Sequence, residues 1–345
     1  MSNQSKEKAN PVLAEFVRGN MSENLHRGSF CVVDAQGKII ASAGDVDAMV
    51  YPRSAIKSLQ ALALFQSGAV EKFNLTDQDL ALACSSHLGE QFHVDGVKEI
   101  LAKIDLTVDD LECGAHQPTH KDARYELRGR GEKPSALHNN CSGKHAGMLA
   151  VAKALGVNHK GYIEAEHPVQ VLVRECVERV LDFKLSPDFC GRDGCSIPTW
   201  GAPLKSFAAG FAKMSSGSNT LPALYANAGD RLFNAAASNA KFIAGTDGFD
   251  TDAMNAFEGD LMLKIGAAGV FCGALRGKNW GFALKCDDGS MDAAHAIVAG
   301  LLNAMSVSTE ETAPVLRSKM AQVSKNWRGF EVGQLQSHED IASYF

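Results

Sequence analysis

Period-two, β-branched runs in this chain sit near its two ends, and the stretch between them reads as helices. Val12 to Arg18 reads as a strand, and Ser29–Val33 with Lys38–Ser42 as a hairpin across Asp34-Ala35-Gln36-Gly37. Far downstream, Val270–Leu275 and Gly281–Lys285 read as a second hairpin, and a short strand is expected at about 330–335. Such an order leaves few choices. The ends must meet in one mainly antiparallel sheet, with a helical body inserted between them, an α+β fold. The spacing predicts one domain over 1–345, with a sheet subregion at about 11–50 and 265–340 and a helical subregion at about 51–264.

The helical stretches have clear punctuation. A helix from about Arg53 to Ser67 should stop at Gly68, and Thr76 with Asp79 three residues on marks another start. His93–Ile104, Lys144–Leu155, Ala202–Met214 and Met291–Met305 follow the same logic. Pro168–Leu181 is the clearest amphipathic case, and its apolar stripe reads as packing alone.

Composition excludes more than it selects. The formal charge is -6, with no long block of one sign, which disfavours nucleic acid and anionic membranes as partners. The first ten residues lack the apolar core of a signal peptide, and no apolar stretch is long enough to span a bilayer. The expected location is the cytoplasm. Nine cysteines, odd and scattered, read as free thiols with a metal or catalytic role for a few.

The chemistry concentrates in three places. Ser54-Ala55-Ile56-Lys57 is an S-x-x-K pair one helical turn apart, on a helix that is apolar nearly all round. A lysine carried into such a helix is partly desolvated, and a neutral amine beside a hydroxyl can take its proton. The tetrapeptide alone equally suits a capping serine and a surface lysine. Cys84-Ser85-Ser86-His87 closes an apolar run, as a plain helix-to-loop junction also would. Asn139-Asn140-Cys141-Ser142-Gly143-Lys144-His145 crowds a helix entry, and Asp193-Gly194-Cys195 forms another polar, glycine-bearing segment. Cys141 and Cys195 are no CxxC pair, so spacing assigns no zinc. No GxSxG, HExxH or Walker A pattern occurs. Gly245-Thr246-Asp247-Gly248 lacks the N-terminal glycine-threonine motif of the threonine-dependent asparaginases.

In order, YPRSAIKSLQALAL, ACSSHLGE, CGAHQP, HNNCSGKHAGML, DGCSIPTWGAPL, AGTDGFDT and KIGAAGVFCGAL with ALKCDDG resemble the rhizobial-type (class 3) L-asparaginases, the asparaginase II family. The resemblance runs from about residue 12 to 335. It implies a serine β-lactamase and penicillin-binding-protein-like fold, and hydrolysis of L-asparagine to L-aspartate and ammonia through an acyl-enzyme. It implies two serine–lysine pairs, mapped to Ser54 with Lys57 and to Ser86 with Lys285. The S-x-x-K placement makes Ser54 the expected nucleophile, with Ser86 and Lys285 relaying the proton or orienting substrate, while the sequence leaves open which serine is acylated. It implies zinc held by Cys141, Lys144 and Cys195, with Asp193 beside substrate or a metal-bound water. Arg53, Asn140 and His145 are weaker substrate-contact candidates, and a homodimer is expected. Lys285-Cys286-Asp287-Asp288-Gly289 departs from the K-T-G strand motif of the penicillin-binding relatives, which weakens a β-lactam-hydrolase reading. The alternatives are a glutaminase or D-amino-acid peptidase on the same scaffold, and a non-catalytic zinc or amino-acid sensor.

Overall fold

The computed structural model describes residues 9–216 and 220–345. Eight antiparallel strands form the main sheet. They are β1 (Val12–Arg18), β2 (Met21–Asp34), β3 (Ile39–Ala43), β4 (Leu261–Gly266), β5 (Val270–Leu275), β6 (Trp280–Cys286), β7 (Ala321–Lys325) and β8 (Glu331–Ser337). Their order is β7-β8-β1-β2-β6-β5-β4, with β3 also paired to β2. The sheet is therefore sewn from both ends of the chain, and the α+β architecture is the one the strand distribution predicts.

The 14-residue β2 is the seam. Its first half pairs with β1 and its second half with β3 and β6. The exposed, polar Met21–Arg27 half carries no hydrophobic alternation, so the sequence shows only the buried half beyond Gly28.

The helical body contains α1 (Asp77–Cys84), α2 (Gln91–Lys103), α3 (Ser142–Leu155), α4 (Pro168–Leu181), α5 (Leu204–Ser215) and α6 (Ala223–Ser238), with α7 (Met291–Ala304) returning near the end. Thr76 and Asp79 close the expected capping box at the start of α1. Pro168 opens α4 at its first turn, and Gly156 ends α3 in a left-handed conformation. Helix α6 carries an apolar face but begins Pro222-Ala223-Leu224 without a polar cap, and no reading of the sequence placed it.

The segment expected as one helix over about Arg53–Ser67 is broken. A 3₁₀ turn spans Arg53–Ile56, and short helical pieces cover Lys57–Gln60 and Leu62–Gln66. The Lys57–Leu64 stretch is buried, as its all-round apolar character requires. No helix among the described residues is long and apolar enough to cross a membrane.

Candidate active site

The site lies where β4 meets the broken Arg53–Gln66 segment and the ends of α1 and α3. Arg53 has φ 52°, the left-handed region that non-glycine residues seldom occupy and that clusters at functional sites. The 3₁₀ turn it opens leads directly to Lys57, which is 1% exposed. The Lys57 ammonium donates to the Ser85 carbonyl at 2.5 Å, to Ser86 Oγ at 3.1 Å and to the Asn140 carbonyl at 3.5 Å. Ser54 stands one turn away but makes no side-chain hydrogen bond among the described residues. The Ser54–Lys57 pair is therefore not hydrogen-bonded, and the donors of the amine go to Ser85, Ser86 and Asn140.

Helix α1 ends as Ser85 turns extended, and Ser86 leaves it with its N–H bound to the Ile243 carbonyl at 2.9 Å. A second buried amine meets the Ser86 hydroxyl. Lys264 of β4 donates to Ser86 Oγ at 2.8 Å and to the Ile265 carbonyl at 2.8 Å. Burial, helped by the neighbouring Lys57 charge and opposed by Asp250, brings the Lys264 amine down to about 7. Asp250 is buried, accepts the Ile265 N–H at 2.9 Å, and has its own carboxyl raised by burial.

Lys285, expected beside Ser86, is elsewhere. Its amine binds the Ala268 and Cys286 carbonyls. The ladder gives the reason: Lys264 aligns with Cys272, and Cys272 with Ala283. Lys285 lies two residues past that row, opposite Val270, beside the turn at 267–269 that joins β4 to β5. The amine that reaches Ser86 comes from the KIGAAG segment. A lysine inside the apolar run Leu261-Met262-Leu263-Lys264-Ile265 was the available signal, since a buried lysine needs a reason.

Cys141, Lys144 and Cys195 do converge, each 4% exposed. Lys144 donates to Cys195 Sγ at 3.1 Å, and Cys141 Sγ donates to Asn140 Oδ1 at 3.2 Å. A hydrogen bond from Cys195 holds the Cys141 thiol well below its ordinary value against the opposing effect of burial, and the Lys57 and Lys144 charges add to this. Cys195 is pushed up in turn by that bond and by burial. For Lys144, burial favours the neutral amine, but the two sulfurs outweigh it and raise the ammonium. Two soft sulfur donors and an amine that ligates only when neutral are a donor set that fits zinc.

Arg53 and Asp193 form one rim. Nε and Nη2 of the arginine contact Asp193 Oδ1 at 2.9 and 2.6 Å, and the Gly194 N–H adds a third bond at 2.7 Å. Burial would raise the Asp193 carboxyl, yet Arg53 and Lys144 hold it below the usual value. Asn140 joins the two clusters, its carbonyl facing Lys57 and its side chain Cys141. His145 does not line the rim. It is 0% exposed, shares a 2.6 Å hydrogen bond with Tyr162, and is held neutral by burial and the nearby Lys144 and Lys57 charges. It stands behind the cluster, with Nε2 lacking a partner among the described residues.

A reachable hydroxyl flanked by buried amines at the seam of a sheet and a helical body is the equipment of serine-dependent hydrolases. The chain belongs to the L-asparaginase II family, whose model matches residues 14–337. No curated protein matches it. Among solved structures, it is similar to a β-lactamase from Mycobacterium bovis at 12% identity, covering 85% of this chain and 94% of that one, with TM-score 0.39. A putative β-lactamase from Bacteroides dorei is 13% identical over 80% of this chain and 93% of the other, with TM-score 0.42. The native form of a protein designated Mglu is 15% identical over 77% of this chain, with TM-score 0.40, and the match spans 60% of Mglu's length. At these scores the superpositions are loose.

Proposed function

We propose that the protein is an L-asparaginase that works by acyl transfer. The observation that carries this reading is the Ser86 hydroxyl, held at 3.1 Å from Lys57 Nζ and 2.8 Å from Lys264 Nζ. Neutral Lys264 takes the Ser86 proton as Oγ attacks the side-chain carboxamide carbon, and the same proton passes to the departing nitrogen to release ammonia. Water, deprotonated by the same amine, then cleaves the ester to give aspartate. Lys57 holds the serine and the Ser85 backbone in register.

The Arg53–Asp193 rim suits a free amino acid, since the guanidinium matches an α-carboxylate and the carboxylate an α-ammonium. Asparagine is favoured over glutamine or a D-amino-acid peptide by the family assignment, and ammonia release from asparagine and glutamine in parallel tests that choice. Zinc, if bound, is held by Cys141, Lys144 and Cys195. There it supplies a fixed positive charge beside Asp193. Cytoplasmic location and a homodimer accompany this reading.

A second reading keeps Ser54 as nucleophile. It rests on the Ser54 hydroxyl being half-buried, without a hydrogen-bond partner among the described residues, and one turn from Lys57. In it, Ser86 relays the proton between Lys57 and Lys264. Ser54→Ala and Ser86→Ala decide between the two. The variant lacking the nucleophile should lose several orders of magnitude in turnover, and no acyl-enzyme should appear by mass spectrometry after rapid acid quench. An acyl-enzyme on Ser86→Ala would assign the role to Ser54. Wild-type chain that releases no ammonia from either amide would overturn the proposal and favour a sensor.

A further inference from the structure

The K-C-D-D-G segment, freed from the role expected of Lys285, does something else with its remaining side chains. The β2–β6 ladder ends on Cys286 opposite Gly28 and continues through the Asp287 N–H to the Arg27 carbonyl at 2.8 Å. Cys286 and Asp288, two residues apart, therefore share one face, and His26 lies on the adjoining strand beside Asp288. His26 Nδ1 is 2.6 Å from Asp288 Oδ2, and Cys286 Sγ is 3.1 Å from Asp288 Oδ1. The three donor atoms all lie within 4.8 Å of one another. The ligands of a tetrahedral zinc stand about 3.3–3.8 Å apart, so small side-chain movements suffice.

We infer that His26, Cys286 and Asp288 form a binding site for a divalent transition-metal ion, sharing no residue with the Cys141–Lys144–Cys195 group.

Three observations converge on it. The first is charge. A thiolate and a carboxylate together neutralise a divalent ion, and imidazole adds a neutral donor, a set that suits zinc better than magnesium or calcium. The second is the lack of a competing cation. Among the described residues, Asp288 has no lysine or arginine ion-pair partner. Arg27 is engaged by the Asn10 carbonyl, and Lys285 by the Ala268 and Cys286 carbonyls. Asn10 holds the adjacent Asp287 away through both carboxylate oxygens, at 3.0 and 3.1 Å. The third is preorganisation. The Ser290 N–H fixes Asp288 Oδ1 at 2.9 Å, Cys286 is fully buried, and the His26 side chain is 13% exposed. The Asp288 side chain, 46% exposed, leaves solvent a route for entry and for a water in the fourth position.

Binding balances as a proton exchange. The metal–sulfur bond replaces the Cys286 S–H bond. The metal–nitrogen bond forms at His26 Nδ1 as the proton that atom shares with Asp288 is exchanged through solvent onto Nε2, leaving a neutral imidazole. The thiol proton leaves to solvent. Without metal the same three groups satisfy one another, so the site can form before the ion arrives.

The test counts metal on the full chain. Chelator-stripped protein is equilibrated with zinc, dialysed and analysed for bound metal, and cobalt(II) serves as a spectroscopic probe of thiolate ligation. His26→Ala, Cys286→Ser and Asp288→Asn should each hold one equivalent less than wild type. Cys286→Ser should also lose part of the near-ultraviolet cobalt–thiolate band. A Cys141→Ser/Cys195→Ser chain should keep one zinc. Ammonia release from asparagine, read separately, reports on the active-site proposal, so either reading can fail alone. Because Cys286 is buried and its variant can misfold, the two partly exposed positions decide the matter. Unchanged zinc content in folded His26→Ala and Asp288→Asn proteins overturns the inference.

Discussion

At the scale of single residues, the site turns on how Lys264 is tuned. Its amine sits at about 7 because burial and Lys57 oppose the charge more than Asp250 supports it. A base must be deprotonated to act, so kcat should rise with pH through a limb near that value. Removing the Asp250 charge removes support for the ammonium. Asp250→Asn should therefore move the limb to lower pH, and pH–rate profiles of the two proteins would show it. An unmoved limb would mean that another group titrates. Stability carries the same signature. An unfolded lysine keeps its proton to about 10.5, so between the two values the unfolded chain binds more protons and stability rises with pH. Below the folded value the penalty of the buried charge is complete. Much of this site can be read from sequence. Ser86 and the Cys141–Lys144–Cys195 set lie in polar clusters whose composition is odd for loops, and Lys57 is a lysine on a largely apolar helical stretch. Lys264 was missed because it sits inside a run that reads as ordinary strand, and which lysine reaches Ser86 is set by register across three strands.

At the scale of elements, the site depends on α3 lying flush against α1. Gly143 makes that approach possible. A Cβ there would stand 2.2 Å from the Leu82 carbonyl oxygen and 2.8 Å from its carbon, both backbone atoms that cannot swing aside. Gly143 lies between Cys141 and Lys144, and Leu82 lies four residues before Ser86. Gly143→Ala should thus cost about 1–3 kcal/mol by overpacking and also part the two clusters. Chemical denaturation measures the first effect, and ammonia release the second. A variant as stable and as active as wild type would show that the contact is slack. Elements with local signals, such as the Thr76–Asp79 capping box and the Pro168 start, were legible because their causes lie within a few residues. The break in Arg53–Gln66 was not. It follows from the left-handed Arg53 and from tertiary demands on Lys57, neither of which has a local pattern.

At the scale of the whole molecule, the sheet couples the ends of the chain to a site that neither end contributes to. Strand β8 pairs with β1, from Ala14 opposite Ser337 to Val17 opposite Gln334, and the His338 N–H binds the Leu13 carbonyl at 2.8 Å. Helix α7 rests on β8 so closely that a Cβ on Gly300 would meet Ser337 Oγ at 3.0 Å. Strand β1 in turn pairs with β2, whose second half is the partner of β6. Cutting the chain after Met320 removes β7, β8 and the Ile341 turn but no residue of the Ser86 centre. It leaves β1 as a bare edge, with unpaired backbone groups and newly exposed apolar surface from α7. If the sheet folds as one unit, the shortened protein should aggregate or lose its cooperative melt, and activity should vanish with the fold. Size-exclusion chromatography and thermal unfolding would test this beside an ammonia assay. A monodisperse, truncated chain that melts within a few degrees of wild type and still turns over would overturn the coupling. It would show that β2 with β3 to β6, closed by the helical body, suffices to hold Lys264 against Ser86.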